Sequence, residues 1–119
     1  MSEPVKFAIV VLEPLPGDTS RVYRALKSAK EFADAGDDVV VLFDGSGVVA
    51  LAAVSESDHP MHALISHLRP VVRGACKYCA TSHKVRQRLE AGEWPLVDDF
   101  GGEASLRQLA VEGRQILTF

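Results

Sequence analysis

Cysteine is scarce: the 119 residues hold two, Cys76 and Cys79. A pair this close in sequence cannot staple a small secreted domain, so it reads as metal, redox or nucleophile chemistry. Long apolar runs are missing too. None approaches the roughly 20 residues that a membrane span needs, and no membrane partner is expected. The first residues lead straight into a strand-like run, without the layout of a signal peptide, and a cytoplasmic location is expected. The basic residues are dispersed and the net charge is −3, which argues against a nucleic-acid partner. There is no repeat, linker or low-complexity segment, and the full dinucleotide fingerprint G-x-G-x-x-G does not occur. With 47% hydrophobic and 24% charged residues the composition is that of an ordinary globular protein, and residues 1–119 are expected to form one domain.

Apolar runs and breakers then give the order of elements. Val5 to Leu12 (VKFAIVVL) and Val39 to Phe43 (VVVLF) are the continuous, β-branched runs of strands covered on both faces. Between them Asp18, Thr19 and Ser20 offer helix caps. Val22, Leu26, Ala29 and Ala33 recur at helical spacing, and Gly36 ends the helix. A short helix is expected over 48–54. A second is expected over 62–68, with Asp58 as cap and Pro60 at its first position. Val71 to Ala75 reads as a third strand, Ala80 to Ala91 as one helix, and 94–97 as an edge piece. Glu103 to Glu112 reads as a last helix with Leu106, Leu109 and Ala110 inward, and Gln115 to Phe119 as a final strand. Strands alternating with helices predict a parallel sheet between helical layers, an α/β fold.

The segment GACKYCATSH carries the chemistry. Ligands gather beyond the carboxyl ends of strands in such sheets, and Cys76 and Cys79 fall there. Cys79 sits near a helix start, where free amides and the helix dipole favour a thiolate. Lys77, His83 and Lys84 add positive charge if they turn inward. His83 lies one helical turn beyond Cys79 and is a candidate proton partner. Tyr78 either lines the thiol site or covers core. Asp44 and Gly45, in the turn after the second strand, are candidate contacts to the site. Three other readings of the cysteines stand beside this one: inert packing, a redox pair, and zinc. Zinc would take Cys76, Cys79 and His83 with a fourth ligand from His59, His62 or His67, but a CxxC without a distant mate is a weak zinc signal. No metal or other cofactor is expected.

The pieces IVVL, ALKSAKEFADAGDDVVVLFDGSGV, GACKYCA and LAVEGRQILTF together resemble the DsrE/DsrF-like family of small sulfur-relay proteins, over nearly the whole chain. The chain looks closest to a stand-alone branch with a Tyr-Cys-Ala signature. The resemblance implies a three-layer α/β/α domain with a five-stranded parallel sheet. It implies a tendency to form homo- or hetero-oligomers, commonly trimers or hexamers, and a homo-oligomer is expected here. It also implies a cysteine that accepts sulfur as a persulfide from a donor protein and passes it to an acceptor. Cys79 with Ala80-Thr81-Ser82 matches that cysteine best, and Cys76 would be auxiliary. A ligand- or partner-binding module without chemistry, and a Cys76/Cys79 dithiol oxidoreductase, are the alternatives.

Overall fold

The structure, a computed structural model, describes residues 3–119. Five parallel strands lie in the order β4-β3-β2-β1-β5: β1 Lys6–Val11, β2 Asp38–Phe43, β3 Val72–Cys76, β4 Leu96–Val97 and β5 Gln115–Thr118. The helices are α1 Thr19–Asp34, α2 Gly47–Val54, α3 His62–Leu68, α4 Lys77–Ser82, α5 Arg86–Ala91 and α6 Leu106–Val111. The α/β architecture with a five-stranded parallel sheet between helical layers agrees with the sequence expectation. Among the described residues no helix is long and apolar enough to cross a membrane.

The strand runs are apolar on both faces because both are covered, but unequally. Ile9, Val11, Val39, Val41 and Phe43 join the main core with α1, α2, α3 and α5. Ala8, Val10 and Leu42 face the other way, where Leu109 of the short α6 is the buried helical residue that meets them. Helix α1 starts where Asp18 accepts the backbone N–H of Arg21 at 3.1 Å, an N-cap that satisfies one orphan amide.

Several boundaries differ from the sequence expectation, each for a local reason. The helix expected over 80–91 is two helices. α4 ends in a Schellman turn, with Val85 N–H donating to Ala80 O and Lys84 N–H to Thr81 O, and Lys84 takes the left-handed φ of 61°. A lysine in the position glycine usually holds hid this stop; burial of Val85 accompanies it. The last helix starts at Leu106, not Glu103, because the Ser105 hydroxyl caps it by accepting Gln108 N–H at 3.0 Å. Its short length leaves Leu106 and Ala110 exposed, and of the three residues expected inward only Leu109 is buried. Pro60 lies in a turn before α3, whose first residue is His62; His59 Nδ1 there accepts the Met61 N–H at 3.0 Å. Val71 belongs to a single 3-10 turn, and the third strand runs one residue further, through Cys76.

At the end of the sheet away from the cysteines, one carboxylate joins three elements. Glu112, just after α6, accepts two bonds from Arg73 of β3 at 2.7 and 3.1 Å and one from Arg114 at 2.7 Å. The Arg114 side chain is 7% exposed and also donates to Asp38. These charged bonds, Arg73's first, pull the Glu112 carboxyl from 4.5 to about 2, against burial, which pushes it up. A depressed folded pKa stabilises the fold above the usual carboxylate range and loses that contribution as pH falls toward 2. Glu112→Gln is expected to cost about 2 kcal/mol at neutral pH, discounted for the solvent that still reaches the pair. Urea unfolding of the two proteins checks this, because the gap between them should narrow as pH falls through the carboxylate range.

Candidate functional site

Parallel pairing of β2 with β3 builds the site. The register sets Phe43 opposite Ala75, so the next residues, Asp44 and Cys76, leave the carboxyl edge of the sheet side by side. Cys76 is the last residue of β3 and is 2% exposed. Cys79 follows in α4, part-buried, on the side that meets α2 and the core. One carboxylate oxygen of Asp44 and the two cysteine sulfurs all lie within 4.8 Å of one another. The thiols are free.

The contacts of the three groups are specific. The Cys79 thiol donates to Asp44 Oδ1 at 3.6 Å. Asp44 Oδ1 also accepts the Gly45 N–H at 2.9 Å. Gly45 holds a left-handed φ of 53°, a conformation open to glycine at this turn. Cys76 Sγ accepts the backbone N–H of Ala104 at 3.4 Å, which ties the loop before α6 to the end of β3. Asp44 and Cys76 line a cleft of about 710 Å³ together with Asp99, Phe100, Glu103 and Arg107.

The electrostatics run opposite to the sequence expectation of a stabilised thiolate. Burial is the first cause that raises the Cys79 thiol, from 9.0 to about 12. The hydrogen bond and charge of Cys76 add to it, as does the charge of Asp44, while the Gly45 amide pulls the other way. The expected cations are elsewhere. Lys77 reaches outward to Asp98 at 3.4 Å. Lys84 and His83 are exposed, and His83 caps the end of α4 through its backbone N–H to Cys79 O rather than bringing its ring into the cluster. Tyr78 is 60% exposed, so it covers no core; its amide donates to Gly102 O at 3.1 Å.

Of the residues singled out in the sequence, the fold thus gathers Cys76, Cys79, Asp44 and Gly45, and leaves His83, Lys77 and Tyr78 at the surface or rim. The other histidines do not join them. His62 Nδ1 bonds Val54 O at 3.2 Å, and His67 lies 3.9 Å from Asp34. Ala104 was missed because its role belongs to its backbone amide, which no side-chain pattern records. Compared with family models, curated proteins and solved structures, the chain finds no match.

Proposed function

We propose that the protein is a sulfur carrier, with Cys79 taking up sulfur as a persulfide and Cys76 able to resolve it. The observation that carries this reading is the meeting of a part-exposed thiol and a buried one within 4.8 Å, at the carboxyl edge of a parallel sheet. Cys79 is the more exposed of the two, while Cys76 is 2% exposed, which favours Cys79 as the thiol that meets a donor. The Cys79 sulfur attacks the outer sulfur of a donor persulfide, R–S–SH. A Cys79 S–S bond forms, the donor S–S bond breaks, and R–S⁻ leaves to take up the proton that Cys79 gave. The net change is Cys79–SH plus R–SSH to Cys79–SSH plus R–SH. Asp44 Oδ1, at 3.6 Å, is the nearest acceptor for that proton. Transfer to a partner's thiol repeats the exchange in the other direction.

The resemblance of the sequence to the sulfur-relay family supports the same reading. It supplies the expected company: a persulfide donor, a sulfur-accepting protein, and further copies of this chain in a cytoplasmic trimer or hexamer. Exposed Phe100, Leu106 and Val111 offer apolar surface beside α6 that copies of the chain would cover.

A second reading, a dithiol oxidoreductase, is favoured by the closeness of the two sulfurs. In it both thiols exchange with a partner disulfide, closing a Cys76–Cys79 bond and releasing two partner thiols. Mass spectrometry after incubation with a small persulfide donor, in chelator, separates the readings. The carrier reading expects one added sulfur, present in Cys76→Ser and lost in Cys79→Ser. In Cys76→Ser, which cannot resolve a persulfide, absence of a sulfur adduct under any donor, together with a loss of two hydrogens in the wild type, favours the oxidoreductase and overturns the carrier.

A further inference from the structure

We propose that Asp44, Cys76 and Cys79 form a binding site for a closed-shell thiophilic cation of the Zn²⁺ class, with its fourth position toward the cleft. The donor set arises from three separate stretches: the turn after β2, the last residue of β3, and α4. Their ligand atoms already lie within 4.8 Å of one another. A tetrahedral cation with metal–sulfur bonds of about 2.3 Å and metal–oxygen bonds of about 2.0 Å sets its sulfur and oxygen ligands about 3.5 Å apart. Cys79 Sγ and Asp44 Oδ1 are 3.6 Å apart. Two ligand sulfurs belong about 3.8 Å apart on the same geometry, so closing the three donors on a cation asks for shifts of an ångström or less.

The surroundings suit the charge. Two thiolates and a carboxylate carry three negative charges, and a divalent cation leaves one. The Ala104 N–H faces Cys76 Sγ and the Gly45 N–H faces Asp44 Oδ1, the outer-shell donors that orient metal ligands. Lys77, which could compete as a cation, is held by Asp98. Two sulfur donors out of three exclude the hard cations Mg²⁺ and Ca²⁺, which take oxygen. Binding exchanges the two thiol protons, which go to solvent, for the cation. Asp44 and Cys76 line the cleft, which has room for a water as the fourth ligand. Asp44 takes the place that sequence spacing offered to His83.

The site goes beyond the sulfur-carrier reading and does not depend on it, since a cation can bind a protein that never accepts sulfur. The test is titration of the reduced, chelator-treated full chain with Co²⁺. One Co²⁺ per chain is expected, with a sulfur-to-cobalt charge-transfer band in the near ultraviolet, tetrahedral visible bands, and displacement by Zn²⁺. Outer-shell partners alone carry about 10- to 100-fold in affinity, so Asp44→Asn is expected to weaken binding at least tenfold. Cys79→Ser, at a part-exposed position, is expected to fold by circular dichroism and to lose most of the charge-transfer band. Absence of that band with excess Co²⁺ on the wild type overturns the proposal. So does unchanged affinity in Asp44→Asn, or a full-intensity band in folded Cys79→Ser.

Discussion

In metal-free protein at neutral pH, Cys79 is expected to exchange with an aromatic disulfide some 30- to 60-fold more slowly than an unperturbed thiol. Two effects set that figure. Raising the thiol from 9.0 to about 12 lowers its thiolate fraction. The loss is about a thousandfold, at tenfold per unit. The more basic thiolate is the better nucleophile, which at a Brønsted slope of about 0.4–0.5 returns roughly 15- to 30-fold. The rate should climb with pH past the range where ordinary thiols level off. Cys76→Ala removes the hydrogen bond and charge that follow burial as causes of the shift, so Cys79 in that variant should react faster. Stopped-flow exchange across pH reads both. A rate matching a free thiol would mean that packing does not hold the proton on Cys79, and a slower one in Cys76→Ala that Cys76 does not help to hold it. The sign for stability follows the same shift. The folded chain holds this proton more tightly than the unfolded one, so the contribution is intact below pH 9.0 and is lost as pH rises toward about 12.

Gly74→Ala is expected to destabilise the fold by roughly 3 kcal/mol and to disturb both cysteines. Gly74 lies in the middle of β3 with a φ of 138°, which side chains rarely adopt. A Cβ built there would run into the carbonyl of Pro95. That carbonyl accepts the Ala75 N–H at 3.0 Å and brings β4 against β3. Any shift that relieves the clash moves the end of β3, and Cys76 with it. Gly101→Ala is the control. Its φ is 60° and the space around its Cβ is open, so only the backbone term remains, about 1 kcal/mol. Chemical denaturation gives the two losses. Equal effects at the two glycines would remove the close approach of Pro95 as the cause.

The sequence alone determined the alternation of strands and helices, the turn after β2 and the place of the cysteines at a strand end. Those features are written in local patterns: apolar runs, caps such as Asp18, and breakers such as Gly36. Where a stop used an unusual residue, as Lys84 does at the end of α4, the pattern was silent. Tertiary structure decided the rest. Asp44 stands far from Cys76 in the chain, and only the pairing of Phe43 with Ala75 sets them side by side. Lys77 and His83 look like cationic neighbours of Cys79 in the sequence, but Lys77 meets Asp98 and His83 stays at the surface. Burial first, then Cys76 and Asp44, therefore act on that thiol in place of positive charge, and they hold its proton on. Charge follows distance through the folded interior, and spacing along a chain does not measure it.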